Sequence, residues 1–453
     1  MDKPQKMLEP MQVIYPNAAG LDIGSTEIMV AIPPDRTGET VRGFGTFTPD
    51  LKELADWLAE SRVTHVAMES TGVYWIPIYE LLEECGFEVI VVNARHIKAP
   101  PGRKSDVKDC QWIQRLHSYG MLSGSFRPGA DMCTLRAYLR HRDNLIEDRA
   151  KHILYMQKAL VQMNIQLGQA LSDLTGKTGL DILRAIVAGE QDPVVLAKLR
   201  KGRCQSSEAD LIKALTGHYR KEHLFVLKQA LAMFDTFSER LKECDQEIER
   251  FLEEITPELP VDFPPLPPNP KPGSHCKNAP DYDARRSMYQ LAGVDLTAIP
   301  GLNENLVQKI LAEVGLDMGR FPSVKNFCSW LGLAPHNAIS GGRILYSHTM
   351  RSNNRAGQAF RMAAQAVSRG KTAYSEFYRR IRARSGAKEA IVATAHKIAR
   401  TFYYMLKRRQ PFCETDLETY LLAQRERDVR RLLVKAAKLG FSLQPTIAPL
   451  LCY

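Results

Sequence analysis

Between Gly20 and Asn93 the chain alternates short apolar, β-branched runs with turn residues. The pattern predicts strands over Leu21–Gly24, Glu27–Ile32 and Val41–Thr48, then an amphipathic helix over Asp50–Ala59 and a fourth strand over Thr64–Glu69. A helix over Tyr74–Cys85 and a fifth strand over Glu88–Val92 follow. The last run is apolar throughout, as a strand buried on both faces requires. A polar, basic loop over 93–104 leads into a further helix that begins near Ser105.

The middle of the chain has helical periodicity. Leu227, Ala230, Phe234, Phe237, Leu241, Cys244, Ile248, Phe251 and Ile255 recur at alternating spacings of three and four, a seam of about four heptads. The seam fits equally a hairpin against an earlier helix (Leu135, Leu139, Leu145, Ile153, Met156, Leu160) and pairing between chains. Nine of the 26 prolines fall between Pro257 and Pro280, so neither helix nor sheet crosses that stretch and a linker is expected there. Beyond it the pattern is helical to about Leu422, with a loop at Leu333–Gly342 and a tail after Gly440 that is not expected to order alone.

With 453 residues the chain is long enough for more than one core. Its composition, 44% hydrophobic and 25% charged, excludes a wholly disordered or fibrous protein. No apolar run is long enough to span a bilayer and the first 20 residues lack a secretory core, so a cytoplasmic protein with no membrane partner is expected. The nine cysteines are scattered singly, which fits reduced thiols. The net charge of +10 is unevenly placed. Residues 320–410 hold 18 Lys and Arg against two acids, a surplus of 16, and the rest of the chain carries −6. So one-sided a surplus points to nucleic acid, and the interleaved Tyr374, Phe377, Tyr378, Phe402, Tyr403 and Tyr404 would add stacking surfaces.

Three strands, a helix, a strand, a helix and a strand is the order of a ribonuclease-H-like α/β domain, in which strands one and four are neighbours. Asp22 interrupts the first strand (LDIGS) and Glu69 ends the fourth (HVAMEST). Asp106 and Asp109 in KSDVKDCQW sit at i and i+3, on one face of the next helix. Carboxylates gathered at strand ends and a helix start need a cation between them, and oxygen donors suit Mg²⁺ or Mn²⁺. Such ions assist phosphodiester cleavage. The plainer reading is that Ser105 and Asp106 cap the helix.

In the basic region, LGLAPHNAISGG leaves Ser340 before two glycines, a candidate nucleophile toward phosphorus with Tyr346 and Ser347 as rivals. Leu296–Gly315 reads either as a helix-hairpin-helix unit offering amides near Gly301 to a phosphate or as an ordinary helical hairpin. Lys104, Gly301, Arg343, Arg351, Arg355 and Arg361 are the candidate nucleic-acid contacts.

Together these motifs resemble the DEDD transposases of bacterial insertion sequences, the family of Piv-invertase-like recombinases. The resemblance covers Gly20 to about Gly120, through LDIGS, AMESTGVYW and KSDVKDCQW, and about Leu296 to Leu406, through IPGLNENLVQKILAEVG and FPSVKNFCSWLGLAPHNAISGG. It implies a RuvC-like domain over 15–130 and a basic, mainly α transposase domain over 286–412, while the residue patterns themselves set apart a helical or coiled-coil spacer over 131–256, a proline-rich linker over 257–285 and a C-terminal helix and tail over 413–453. Asp22, Glu69, Asp106 and Asp109 would hold the metal and Ser340 would supply the nucleophile. The implied partners are double-stranded donor and target DNA, a structured guide RNA encoded by the element, and further copies of the chain, as a dimer or tetramer through the coiled coil. A nucleoid-associated protein is expected.

Two other classes remain to be weighed. LDIGST also resembles the phosphate turn of actin-like and sugar-kinase ATPases, but the second Asp-Gly loop and the Gly-rich adenosine motif of that fold are missing. A non-catalytic nucleic-acid-binding protein would leave the four acids incidental.

Overall fold

A computed structural model describes residues 11–36, 38–70, 72–93, 105–202, 204–258, 260, 263–269, 277–349, 354–413 and 417–443. By its contacts the chain divides into two units, Met1–Arg127 and Pro128–Tyr453. The helical middle, the proline-rich stretch and the basic region all fall within the second.

In the first unit the β-rich runs form β1 (Ala18–Ile23), β2 (Glu27–Ala31), β3 (Val41–Gly45), β4 (His65–Glu69) and β5 (Glu88–Val92), with helices α1 (Thr48–Glu60), α2 (Trp75–Glu84) and α3 (Asp106–Ser118). They build one five-stranded sheet in the order β3-β2-β1-β4-β5. β2 is antiparallel to β1 and β3, while β4 is parallel to β1 and β5. Strands one and four are neighbours, as the element order predicts.

Both faces of this mixed sheet are covered. Leu51, Leu54, Ala55 and Leu58 of α1, with Ile78 and Leu82 of α2, pack on Leu21, Ile23, Val66 and Met68. Because strand side chains alternate, the intervening residues face the other way. There Ala67 and Val92 pack with Ile113 of α3.

β1 begins three residues earlier than the pattern suggests, because Ala18, Ala19 and Gly20 read as turn material yet are buried. A Cβ on Gly20 would lie 2.2 Å from the Gln114 backbone nitrogen and 2.5 Å from the Cys110 carbonyl oxygen, so glycine is what lets α3 lie this close. The buried Gln114 side chain ties the contact, donating to the Ala18 carbonyl at 3.2 Å and to the Ser118 hydroxyl at 2.9 Å.

The second unit opens on two long helices, α4 (Ala130–Gln162) and α9 (Lys221–Ile255), separated by the short helices α5 (Leu167–Ala170), α6 (Lys177–Val187), α7 (Pro193–Ala197) and α8 (Glu208–Leu215). The long pair is antiparallel: Tyr138 meets Phe251, Arg142 meets Asp245 and His152 meets Phe237. The apolar seam is therefore satisfied inside one chain, the first of the two options its heptads leave open. Ile182, Leu183, Leu196 and Leu211 of the short helices close over Met156, Leu160, Leu227 and Phe234.

Arg142 and Asp245 form a buried ion pair, with Nε to Oδ1 at 2.5 Å and Nη2 to Oδ2 at 3.1 Å. The Asp281 amide donates to Asp245 and Arg142 donates to the Asn278 carbonyl, so the pair also fastens the chain beyond the prolines. No described residue of 256–283 is in a helix or strand. Within 263–269 the prolines lie against α10 (Ala284–Ala292), where Tyr289 donates to the Pro264 carbonyl and Arg285 to that of Pro267.

The basic region continues with α11 (Glu304–Val314), α12 (Val324–Trp330), β6 (Pro335–Ser340), β7 (Arg343–Thr349), α13 (Arg355–Val367), α14 (Ala373–Ser385), α15 (Ala387–Arg408) and α16 (Leu417–Lys438). Two expectations change here. The segment expected as a loop at Leu333–Gly342 is the first half of a β-hairpin, with Gly341 at φ +54° and Gly342 at φ +75° as its two-residue turn. Of the six aromatics expected as stacking surfaces, Tyr374, Tyr378, Phe402 and Tyr403 are core, since helical spacing turns them inward. No helix among the described residues is long and apolar enough to cross a membrane.

Candidate active site

Leu21 and Ile23 of β1, and Val66 and Met68 of β4, face α1 and α2. By alternation Asp22 and Glu69 lie on the opposite face of the sheet, the one covered by α3. The parallel register pairs Leu21 with Met68, so the next residue of each strand is the carboxylate. α3 starts at this edge. Its first turn carries Asp106 and Asp109, and the Ser105 hydroxyl accepts from the Lys108 amide at 3.4 Å.

One oxygen from each of Asp22, Asp106 and Asp109 lies within 4.8 Å of the others. Capping explains why two aspartates favour the first turn of α3, but not why a third approaches from a neighbouring strand. At that spacing two carboxylates repel by about 1 kcal/mol even at the dielectric of water, and by more where solvent is partly excluded. An all-oxygen donor set of this charge fits a hard divalent cation. Cys110 lies on the inner side of the cluster. Burial, reinforced by Asp22 and Asp109, pushes its thiol up to about 12, so it stays neutral.

The convergence of four carboxylates is met by three. Glu69 stands outside the group, at the end of β4 and beyond the last β1–β4 pair, although its strand position puts it on the same face. Sequence reasoning missed Gly20 and Gln114, which set the distance between β1 and α3. The signal was present in the small residues Ala18, Ala19 and Gly20 directly before LDIGS.

In the second unit Ser340 is exposed at the end of β6, directly opposite Arg343 across the Gly341–Gly342 turn. The rival Tyr346 stacks on His348, ring centroids 5.3 Å apart. Arg355 is exposed at the start of α13. Arg361 is partly buried and donates to the Gly332 carbonyl at 2.8 Å, and burial lowers its pKa, so it holds α13 to the end of α12. Gly301, at φ +90°, is pressed onto α13, where a Cβ would lie 2.4 Å from the Ala363 carbonyl oxygen. Packing thus accounts for this glycine. Lys104 and Arg351 lie outside the described residues.

Comparison with known proteins adds two matches in the same order as the two motif sets. Residues 19–165, which contain Asp22, Glu69, Asp106 and Asp109, match the transposase family model of the DEDD type of IS110 elements. Residues 295–379, which contain Ser340, match the model of the transposase IS116/IS110/IS902 family. No curated protein matches the chain. The carboxylates that β1 and α3 bring together are thus acids within the matched DEDD segment, and the chain belongs to the IS110 family of DEDD transposases.

Proposed function

We propose that this transposase cuts and rejoins DNA with a Mg²⁺ (or Mn²⁺) site formed by Asp22, Glu69, Asp106 and Asp109 and with Ser340 as the nucleophile. The observation that carries the reading is the approach of Asp22, Asp106 and Asp109 to within 4.8 Å on a sheet edge built for that closeness by Gly20. Glu69, on the same face, completes the set by a change of rotamer. Bound divalent ions would supply charge stabilisation to the oxygens of the reacting phosphodiester.

Ser340 is reachable because it caps a hairpin that stands out from its unit, and Arg343 opposite it places a cation where a phosphate oxygen would lie. Attack by the serine oxygen forms a serine–phosphate ester and releases one strand end as an alcohol, which takes up the hydroxyl proton. A hydroxyl of a second strand then displaces the serine and restores it. Arg343 and Arg355 bind donor and target DNA. An element-encoded guide RNA and assembly into a dimer or tetramer complete the reading.

The test uses the full chain, DNA carrying the element's ends, and any RNA that copurifies. Asp22→Asn should lose both Mn²⁺ binding, read by electron paramagnetic resonance, and strand cleavage. Ser340→Ala should keep Mn²⁺ binding and lose the covalent protein–DNA adduct. An adduct surviving in Ser340→Ala removes the serine from its role and points to Tyr346. Cleavage surviving in all four carboxylate variants removes the metal site.

A further inference from the structure

A cavity of about 470 Å³ opens between α14, α15 and α16 of the second unit. Its cations come from all three helices: Arg380, Lys397, Arg400 and Arg427, with His396 beside them. Among the described residues no carboxylate lines it, and neither Arg400 nor Arg427 has an ion-pair partner. The nearby acids are engaged elsewhere, Glu376 with Arg379 and Asp428 with Arg431.

The Lys397 ammonium lies 4.9 Å from the ring centre of Tyr374 and 5.0 Å from those of Phe377 and Tyr420. This aromatic cage holds α16 against α14 and α15 and fixes one cation at the cavity floor. Burial, together with Arg380 and Arg427, lowers the Lys397 pKa, and burial and Arg400 lower that of His396. Several like charges thus share one cavity without a counter-charge, an arrangement that an anionic ligand relieves.

The cavity also offers ring faces. Phe377, Tyr404 and Tyr420 line it, and Phe377 and Tyr404 are the two aromatics of this stretch that stay partly exposed while their neighbours enter the core. Its volume falls within the range of about 300 to 1,000 Å³ typical of small-ligand pockets, enough for one nucleotide and far too narrow for a duplex. Phosphate-binding cations next to aromatic faces are what a single strand requires once its bases are unstacked.

We infer that the cavity between α14, α15 and α16 is a binding site for one nucleotide of single-stranded nucleic acid. Arg400 and Arg427 hold its phosphate, and Tyr404 stacks its base. Lys397, Arg400, Tyr404 and Arg427 all lie beyond the segment matched by the second family model, which ends at residue 379. The inference rests on the nucleic-acid reading of the basic region but not on the carboxylate or serine chemistry.

The test is fluorescence anisotropy with full-length protein and labelled oligo(U), oligo(dT) and duplex DNA, at several salt concentrations. The variant Arg400→Gln/Arg427→Gln, altered at exposed positions, should bind single strands on the order of tenfold more weakly. Its salt slope should fall by about 0.7 for each phosphate that is no longer neutralised. Tyr404→Leu should cost roughly 5- to 100-fold. Arg400→Lys/Arg427→Lys should restore most of the affinity. Duplex binding and Mn²⁺ binding should be unchanged in all of these, which separates this site from the catalytic reading. The oligonucleotide that shows the weaker binding identifies RNA or DNA as the source of the strand. Unchanged single-strand affinity in the arginine variant, or an equal weakening on duplex DNA, overturns the inference.

Discussion

Gly20→Ala is the most discriminating substitution, because it touches no functional group yet should disturb the metal site. The added Cβ would lie 2.2 Å from the Gln114 nitrogen and 2.5 Å from the Cys110 carbonyl oxygen. Carbon contacts settle at about 3.5 to 4.0 Å, so α3 has to withdraw from β1 by on the order of 1 Å. Both obstacles are backbone atoms, and no side-chain rotation relieves them. Overpacking of this kind costs about 1 to 3 kcal/mol. Asp106 and Asp109 move with α3 whereas Asp22 stays with β1, and metal coordination tolerates about 0.2 Å of error. The expected outcome is a lowered melting temperature in metal-free buffer and a Mn²⁺ affinity reduced by roughly 10- to 100-fold. Gly129→Ala, where a Cβ meets nothing within 4 Å, is the control and should change neither. If Gly20→Ala melts and binds Mn²⁺ like the parent, the claim that α3 is placed by this contact is wrong.

The remaining expectations concern stability. Asp245→Ala leaves the Arg142 guanidinium buried without its carboxylate and should cost about 3 to 5 kcal/mol in urea unfolding, whereas replacing both residues by leucine should recover most of that loss. A loss below about 1 kcal/mol in the single variant would show that the pair is not what fastens α4 to α9. His117 is 3% exposed, and burial, with His65 adding to it, lowers its pKa to about 4. The unfolded chain takes up that proton near pH 6.5, so the stabilisation is fully present above that pH and fades as the pH falls toward 4, by about 3 kcal/mol in all. The urea midpoint should therefore fall less steeply on acidification in His117→Leu than in the parent, and identical pH profiles would rule the residue out as the source.

Much of the fold is legible because its periodicities are strong. The order β1, β2, β3, α1, β4, α2, β5 follows from alternating apolar runs and one amphipathic helix, each set by local side-chain spacing. Asp22 stands out because a carboxylate between Leu21 and Ile23 breaks an apolar strand, and Asp106 and Asp109 because a helix puts i and i+3 together. The hairpin at Ser340 is harder to see. Its residues are almost all exposed, so no buried face enforces alternation, and only the Gly-Gly turn marks it. The aromatics of α14 and α15 mislead for the opposite reason, since neighbouring arginines make an inward-facing stripe look like a surface.

By itself the sequence determined the order of strands and helices in the first unit, which acids interrupt apolar runs, and that positive charge gathers between 320 and 410, because each is a property of neighbouring residues. Only the tertiary structure decided that Asp22 meets Asp106 and Asp109 while Glu69 stands apart, that the heptad seam closes within one chain, and that cations of three helices share one cavity. Each of these depends on how closely two distant backbones approach, and at Gly20 that approach is set by the absence of a single methyl group.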